Sequence, residues 1–123
     1  MTDISNYLEN AWLKTLAGTP FTNVTPYVQL HTGAPGEDGT SNVATETNRE
    51  IATFNVPAGS TMTNSTASTW SAVAATETYS HLSIWDASTS GNCLWQGSLT
   101  ASVGVNAGDD FEIAAGNLSL ALD

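Results

Sequence analysis

The side chains that could act as acids, bases or nucleophiles are few. His31 and His81 are the only imidazoles, and Cys93 is the only thiol. A hydrolase needs an imidazole beside an activated serine or cysteine, with a carboxylate behind it. No G-x-S-x-G turn is present, and Cys93 lies in an apolar strand pattern, where cysteine commonly packs as a small hydrophobe. We predict no catalytic residue and no enzyme activity; a hydrolase that uses His81 and Asp86 with a serine is the alternative.

Metal and cofactor sites have equally little support. Residues 37–38 and 109–112 carry carboxylates that suit Ca²⁺, but neither segment matches a D-x-D-x-D-G loop. A zinc site needs four ligands at defined spacing, and no such set is visible. The glycines of residues 33–36 lack the spacing of a phosphate-binding loop. We therefore expect no metal and no cofactor, and we interpret both acidic segments as turn residues in water.

The charge of the chain excludes several classes of partner. Twelve acidic residues face only Lys14 and Arg49, so the formal net charge is −10 at pH 7. Nucleic-acid binding and attachment to anionic lipid both need clustered cations.

No apolar stretch approaches the roughly 18 residues of a membrane-spanning helix. Residues 1–5 have no signal-peptide character, and a single cysteine cannot form an internal disulfide. We predict synthesis in a reducing cytoplasm, with no nucleic-acid or membrane partner.

The elements that must position these side chains begin with a helix. With 123 residues, the chain has the length of one domain. We predict an amphipathic helix over 2–17, capped by Thr2 or Asp3 and ended by Gly18 and Pro20. The larger apolar residues of this segment fall on one helical stripe: Ile4, Tyr7, Leu8, Trp12 and Leu16.

After Pro20 the apolar residues alternate as in strands. We predict strands over 27–32, 51–56, 79–86, 93–99, 111–113 and 118–122, with one or two short strands within 61–70. Residues 87–92 would connect a hairpin. Strands that recur every 8 to 12 residues or so are typical of a sandwich or barrel. The predicted fold is mainly β: an antiparallel β-sandwich or small barrel over 21–123, with one N-terminal amphipathic α-helix, all in a single domain of 1–123.

Two features of the chain suggest contacts with other subunits. The helical stripe must be covered, either by the chain's own sheet, which we favour, or by a neighbouring subunit. Arg49, the sole guanidinium, is a candidate for an ion pair inside the chain or across an interface, or else an ordinary exposed arginine. The candidate interface residues are Ile4, Tyr7, Leu8, Trp12, Leu16 and Arg49.

Several segments, taken in order, resemble a family of small virion proteins, labelled tail-fibre-like, that is common in tailed bacteriophage genomes. These segments are 6–10, 27–37, 81–87, 94–99, 105–109 and 118–123, so the resemblance covers nearly the whole chain. It implies a non-enzymatic structural protein of the virion, made in the host cytoplasm.

Within that resemblance, two places in the particle are open. The first is a capsid decoration, or cement, protein on the outer surface of the head, where it stabilises the shell. It would contact the major capsid protein and sister subunits as a homo-oligomer such as a trimer, through the helix, the N-terminal arm and residues 33–47. The alternative is a tail or fibre component with a receptor- or glycan-binding face. In that case Trp70, Trp85 or Trp95 would be exposed to stack on sugars, whereas in the first case they are core.

Overall fold

The structure is a computed structural model and describes residues 2–122. In chain order its elements are β1 (Thr2–Ile4), α1 (Asn6–Leu16), β2 (Tyr27–His31), β3 (Glu50–Ile51), β4 (Thr61–Thr63), β5 (Ser68–Trp70), β6 (Glu77–Trp85), β7 (Cys93–Val105), β8 (Phe111–Ile113) and β9 (Ser119–Ala121).

The strands form one larger sheet and two short ribbons, all antiparallel. The five-stranded sheet has the order β1-β7-β6-β2-β3, and the ribbons pair β4 with β9 and β5 with β8. The two ribbons lie against the larger sheet around a shared core. The predicted class is confirmed: the fold is a small antiparallel β-sandwich with one N-terminal helix.

The β6–β7 hairpin is the centre of the larger sheet. Its two strands match the predicted hairpin, and β7 runs further than expected, to Val105, because it continues to pair with the start of β6 at Glu77. The last four residues of β6 are all buried. Neighbouring side chains in a strand point to opposite faces. Both faces of this strand are therefore covered by other parts of the chain.

One face of the sheet carries the apolar core. Leu30 of β2 is paired with Leu82 of β6 on this face, and both are buried. Aromatic rings from the second layer complete it. The Phe111 ring lies 5.7 Å from the Trp70 ring and 5.1 Å from the Tyr79 ring, centroid to centroid. These contacts join the β5–β8 ribbon to the central hairpin.

Asn64 stabilises the chain segments around the β4–β9 ribbon through hydrogen bonds of its side chain. Its side chain is 1% exposed, and its amide Nδ2 donates to the carbonyls of Thr66 and Ala114, each at 3.0 Å. Its Oδ1 accepts from the Leu118 amide at 3.0 Å, and its own amide donates to the Leu118 carbonyl at 3.0 Å. This one buried side chain satisfies main-chain groups that the short strands leave open.

The N-terminal prediction is wrong at its start. Residues 2–4 form β1, which pairs with residues 95–97 of β7, so the helix is shorter than predicted and Ile4 lies on a strand. Neither Thr2 nor Asp3 is the cap. Ser5 takes this role: its Oγ accepts from the Leu8 amide at 3.2 Å. β1 forms by pairing with β7, which is distant in sequence, so residues 2–4 carry no local periodicity from which a strand could be predicted.

The predicted strand over 51–56 is also mostly absent. Only Glu50–Ile51 forms a strand there, and Phe54 makes one isolated bridge with Asn64. The segment departs from strict alternation, since Ile51 and Phe54 lie an odd number of residues apart. Ile51 is exposed and Phe54 is half-buried, so the two do not share one continuous apolar face.

We expect Leu120→Ala to lower the free energy of unfolding by about 3 kcal/mol, because it removes methyl groups from a core without refilling the space. Leu120 is 3% exposed, whereas Leu122 on the same segment is 40% exposed. The matched control Leu122→Ala should therefore cost less than about 1 kcal/mol. Urea unfolding measures both, and equal losses would contradict this placement of the last strand.

Candidate functional site

The predicted hydrolase pair is not brought together. His81 lies within β6 and Asp86 directly follows that strand. An extended chain rises about 3.3 Å per residue, so this separation is roughly 16 Å. The His81 imidazole contacts the Ser80 hydroxyl, with 2.8 Å from Nδ1 to Oγ. The Asp86 carboxylate accepts from the main-chain and side-chain nitrogens of Asn92, at 2.7 and 3.0 Å. The carboxylate closes a turn and does not orient this imidazole.

The other imidazole belongs to a buried chain of hydrogen bonds on the second face of the sheet. The His31 Nδ1 lies 2.9 Å from the Ser41 carbonyl oxygen, and its Nε2 lies 2.7 Å from the Ser83 Oγ. The Trp85 indole donates to that same Oγ at 2.7 Å. A carbonyl only accepts, so neutral His31 donates from Nδ1 and accepts from the Ser83 hydroxyl at Nε2.

Ser83 and His31 are the residue types of a nucleophile and its base, but neither is accessible to solvent. His31 and Ser83 are both fully buried, so no substrate reaches the hydroxyl. Burial lowers the pKa of His31 below its ordinary value of 6.5, and the hydrogen bonds to the 41–42 main chain oppose that shift. A neutral imidazole with both nitrogens satisfied links β2, β6 and residue 41 of the following loop.

The loop over 33–47 covers this polar face. Pro35, Gly39, Ala44 and Glu46 within it are buried and most of its other residues are exposed, so a contact of this loop with the shell or a sister subunit stays a prediction. Residue 44 also donates from its amide to the Leu30 carbonyl at 3.1 Å. The buried residues attach the loop to the chain's own sheet, and the loop shields the polar side chains of the second face from water.

Gly39 brings the loop into close contact with the sheet. Its φ is +71°, and a β-carbon there would lie 2.7 Å from the Cys93 Sγ and 2.9 Å from the Trp85 ring. Cys93 is 5% exposed, and burial raises the pKa of its thiol to about 11. The thiol therefore stays protonated at neutral pH and is a poor nucleophile.

Acidic residues fix the two ends of the loop by accepting from main-chain amides. Glu37 accepts from the Asn6 amide at 2.6 Å, at the start of α1. Glu77 accepts from the amides of Thr45 and Glu46 at 3.0 and 3.1 Å. Residues 109 and 110 likewise accept from nearby amides. No group of three or more potential metal ligands converges among residues 2–122.

Arg49 joins the loop to the turn between β6 and β7. Its guanidinium carbon lies 4.0 Å from the centroid of the Trp85 ring. One terminal nitrogen donates to the carbonyls of Ala87 and Ser90 at 2.9 and 2.7 Å, and Nε donates to the Gln29 side chain at 3.2 Å. Its partners are carbonyls, and it forms no ion pair within the described chain. A contact of Arg49 across an interface stays a prediction.

The tryptophans do not offer a sugar-stacking surface of the predicted kind. Trp70, Trp85 and Trp95 are 1%, 6% and 4% exposed, so their faces are already occupied. Trp12 is the exception at 37% exposed. Its ring meets the Trp95 ring edge-on, with centroids 6.0 Å apart.

The helical stripe is only partly covered by the chain itself. Leu8 is 3% exposed and packs in the core, so it offers no free surface, and the helix does pack on its own sheet as favoured. Tyr7 and Leu16 are exposed, and their interface role stays a prediction. Leu13, which the sequence analysis left out, is also exposed. Its spacing of three residues from Leu16 places the two on one face.

An open groove of about 1080 Å³ runs between α1 and the edges of β7 and β9. We call it the helix groove. Its apolar lining includes Ile4, Trp12, Leu13, Leu16, Leu99 and Leu122. This apolar concavity lies beside three of the predicted interface residues, Ile4, Trp12 and Leu16, and it is a candidate surface for binding.

The comparisons with known proteins give one family. The model of a family described as Podophage GP4 fiber I protein gp80 matches residues 3–121, which is nearly the entire sandwich with its helix. A search of curated proteins gives no match. No helix in the described part of the chain has the length and apolar character that crossing a membrane requires.

The buried imidazole makes stability depend on pH. As the pH falls through 6.5 the unfolded chain takes up a proton, while folded His31, with its lowered pKa, does not. The free energy of unfolding should therefore fall between pH 6.5 and the lower folded value and then level off. We expect His31→Gln to be less stable at pH 7.5 or so and to lose this slope. His81→Gln is the matched control. A wild-type slope in His31→Gln would contradict the assignment; denaturant unfolding across pH measures it.

Arg49→Lys keeps the charge but loses the planar group that stacks and donates in several directions. We expect it to lower the free energy of unfolding by about 1–2 kcal/mol. Amide exchange in the 87–92 turn should also accelerate. Lys14→Gln removes the other cation, on the exposed side of α1, and serves as control. An unchanged rate of amide exchange in the 87–92 turn of the Arg49→Lys variant would show that the guanidinium does not stabilise this turn.

Proposed function

We propose, because this chain belongs to the podophage GP4 fiber I protein gp80 family, that it is a non-enzymatic structural subunit of a virion fibre. The family places the chain among phage structural proteins and in the virion. The observation that carries the finer step is the extent of the match, which includes residues 3–121. The family description therefore applies to the folded unit as a whole and not to a short motif within it.

The geometry supports a structural function. The His31–Ser83 pair is fully buried on the second face of the sheet, and the Cys93 thiol is protonated and covered. What the described surface offers instead is the helix groove, with Leu13 and Leu16 exposed along it. An apolar patch of this kind on a small protein marks a contact site. The chain thus acts by occupying a position among other virion proteins.

Head decoration is the second candidate. A net charge of −10 with two cations favours a protein that stays off packaged DNA, and a decoration protein has that need. The same charge is compatible with a fibre subunit, so it does not separate the two positions. The family description favours the fibre. A glycan-binding face built from the three core tryptophans has no support, since all three are buried.

The position of the chain can be tested on purified particles. Heads and tails with fibres are separated, and the chain is quantified in each fraction by mass spectrometry against the major capsid protein. We expect the chain in the fibre-bearing fraction, at a copy number far below that of the capsid subunit. Recovery with DNA-filled heads, at a copy number comparable to the capsid subunit, would favour decoration. Absence from mature particles would contradict both.

A second test concerns the exposed face of α1. We expect Leu16→Ser to leave the melting temperature nearly unchanged, because Leu16 is 88% exposed and exposed substitutions usually change stability by less than about 0.5 kcal/mol. Incorporation into particles should nevertheless fall. Val56→Ser is the matched control, since Val56 is 89% exposed and lies outside the helix groove. Equal incorporation of the two variants into particles would show that the exposed face of α1 is not part of the assembly surface.

A further inference from the structure

The helix groove leaves apolar side chains in water on both of its sides. On the helix, Leu13 and Leu16 are 63% and 88% exposed, and on the sheet side Leu122 is 40% exposed. The groove volume of about 1080 Å³ lies above the roughly 300–1,000 Å³ of small-molecule pockets. These dimensions suit a polypeptide segment, whose apolar side chains can anchor at successive points.

The charges along the groove have one sign. Glu9 lines it and forms no ion pair within residues 2–122. Lys14 is five residues beyond Glu9, which turns it about 140° around the helix, and it lines a different cavity beside Pro20. The other cation, Arg49, is held by the 87–90 carbonyls. Among residues 2–122, the groove therefore presents the Glu9 carboxylate and no cation to an occupant.

This charge distribution argues against a second copy of the chain as the occupant. Each copy carries a net charge of −10, so a contact between two copies of the groove would bring two strongly acidic surfaces together. Like charges brought together at an interface are unfavourable. A segment with apolar side chains and flanking lysine or arginine instead matches both the lining and the rim.

We propose that the helix groove binds an amphipathic, cationic segment of a different virion protein. The inference rests on the proposed structural function for the source of that segment. The apolar side chains of the segment would contact Leu13, Leu16 and Leu122, while a cation of the segment would face Glu9. The groove would then be the point at which this subunit joins a non-identical neighbour.

The test uses the full chain and two synthetic probes. Both probes are amphipathic helical peptides of about 14 residues with leucine at the same positions. One carries lysine at its polar positions, and the other carries glutamate there. Isothermal titration calorimetry measures the Kd of each at several salt concentrations. We expect the lysine peptide to bind more tightly than the glutamate peptide by about tenfold or more, with a difference that shrinks as salt rises.

Paired variants locate the binding. Leu13→Ser and Leu16→Ser should each weaken the lysine peptide by about tenfold, the loss expected for one buried apolar anchor. Glu9→Gln should weaken it by about threefold. The matched controls are Val56→Ser and Glu112→Gln, which change an exposed apolar and an exposed acidic residue outside the groove. Both controls should bind as the wild type does.

Three results would overturn the proposal. The first is equal binding of both peptides. The second is unchanged binding of the lysine peptide in Leu13→Ser and Leu16→Ser, which would mean adhesion to the acidic surface in general. The third is a dimer of the free chain in sedimentation equilibrium that Leu16→Ser abolishes and the lysine peptide does not dissociate. Because these measurements use the isolated chain, their failure is distinct from a failure to find the chain in fibres.

Discussion

The double-sided burial of the β6–β7 hairpin is the constraint on which the rest of the structure depends. Consecutive residues at the end of β6 are buried on opposite faces of the sheet. A chain of 123 residues has few large apolar side chains with which to cover both. It covers one face with the two ribbons and α1 around an aromatic core. The other is covered by a loop without regular secondary structure.

That second face explains why the chain holds polar residues inside. A loop must satisfy its main-chain groups where it is buried: His31 donates to the carbonyl of residue 41, and Glu77 accepts from the amide of residue 45. The residues that resemble catalytic groups are thus structural: an imidazole that bridges two strands and a loop, and a guanidinium that secures a turn. Because the chain has few large apolar side chains, the apolar face of α1 is also only partly covered. Leu8 is its only fully buried side chain, and Trp12, Leu13 and Leu16 border the helix groove.

The sequence predicts the parts of this structure that local patterns encode. Alternation identified the hairpin and β8, and helical spacing identified α1, because in each case the partner face is apolar and regular. β1 and the burial of the 33–47 loop depend on residues distant in the chain, so no local pattern reveals them. The site was predicted in part: Trp12 and Leu16 border the groove, whereas Leu13 was missed because it lies off the stripe that meets the core. Arg49 was a candidate for an ion pair, but its partners are carbonyls of a turn that only the fold brings near.

The account makes the chain a structural subunit whose groove beside α1 is a joint with another protein. A cryo-EM reconstruction of the mature particle, with the fibre region resolved to side chains, tests this most directly. The account predicts density for this sandwich in the fibre, with a segment of a different virion protein lying against Leu13 and Leu16. A groove that faces solvent in the assembled particle, or that is filled by another copy of this chain, would contradict it.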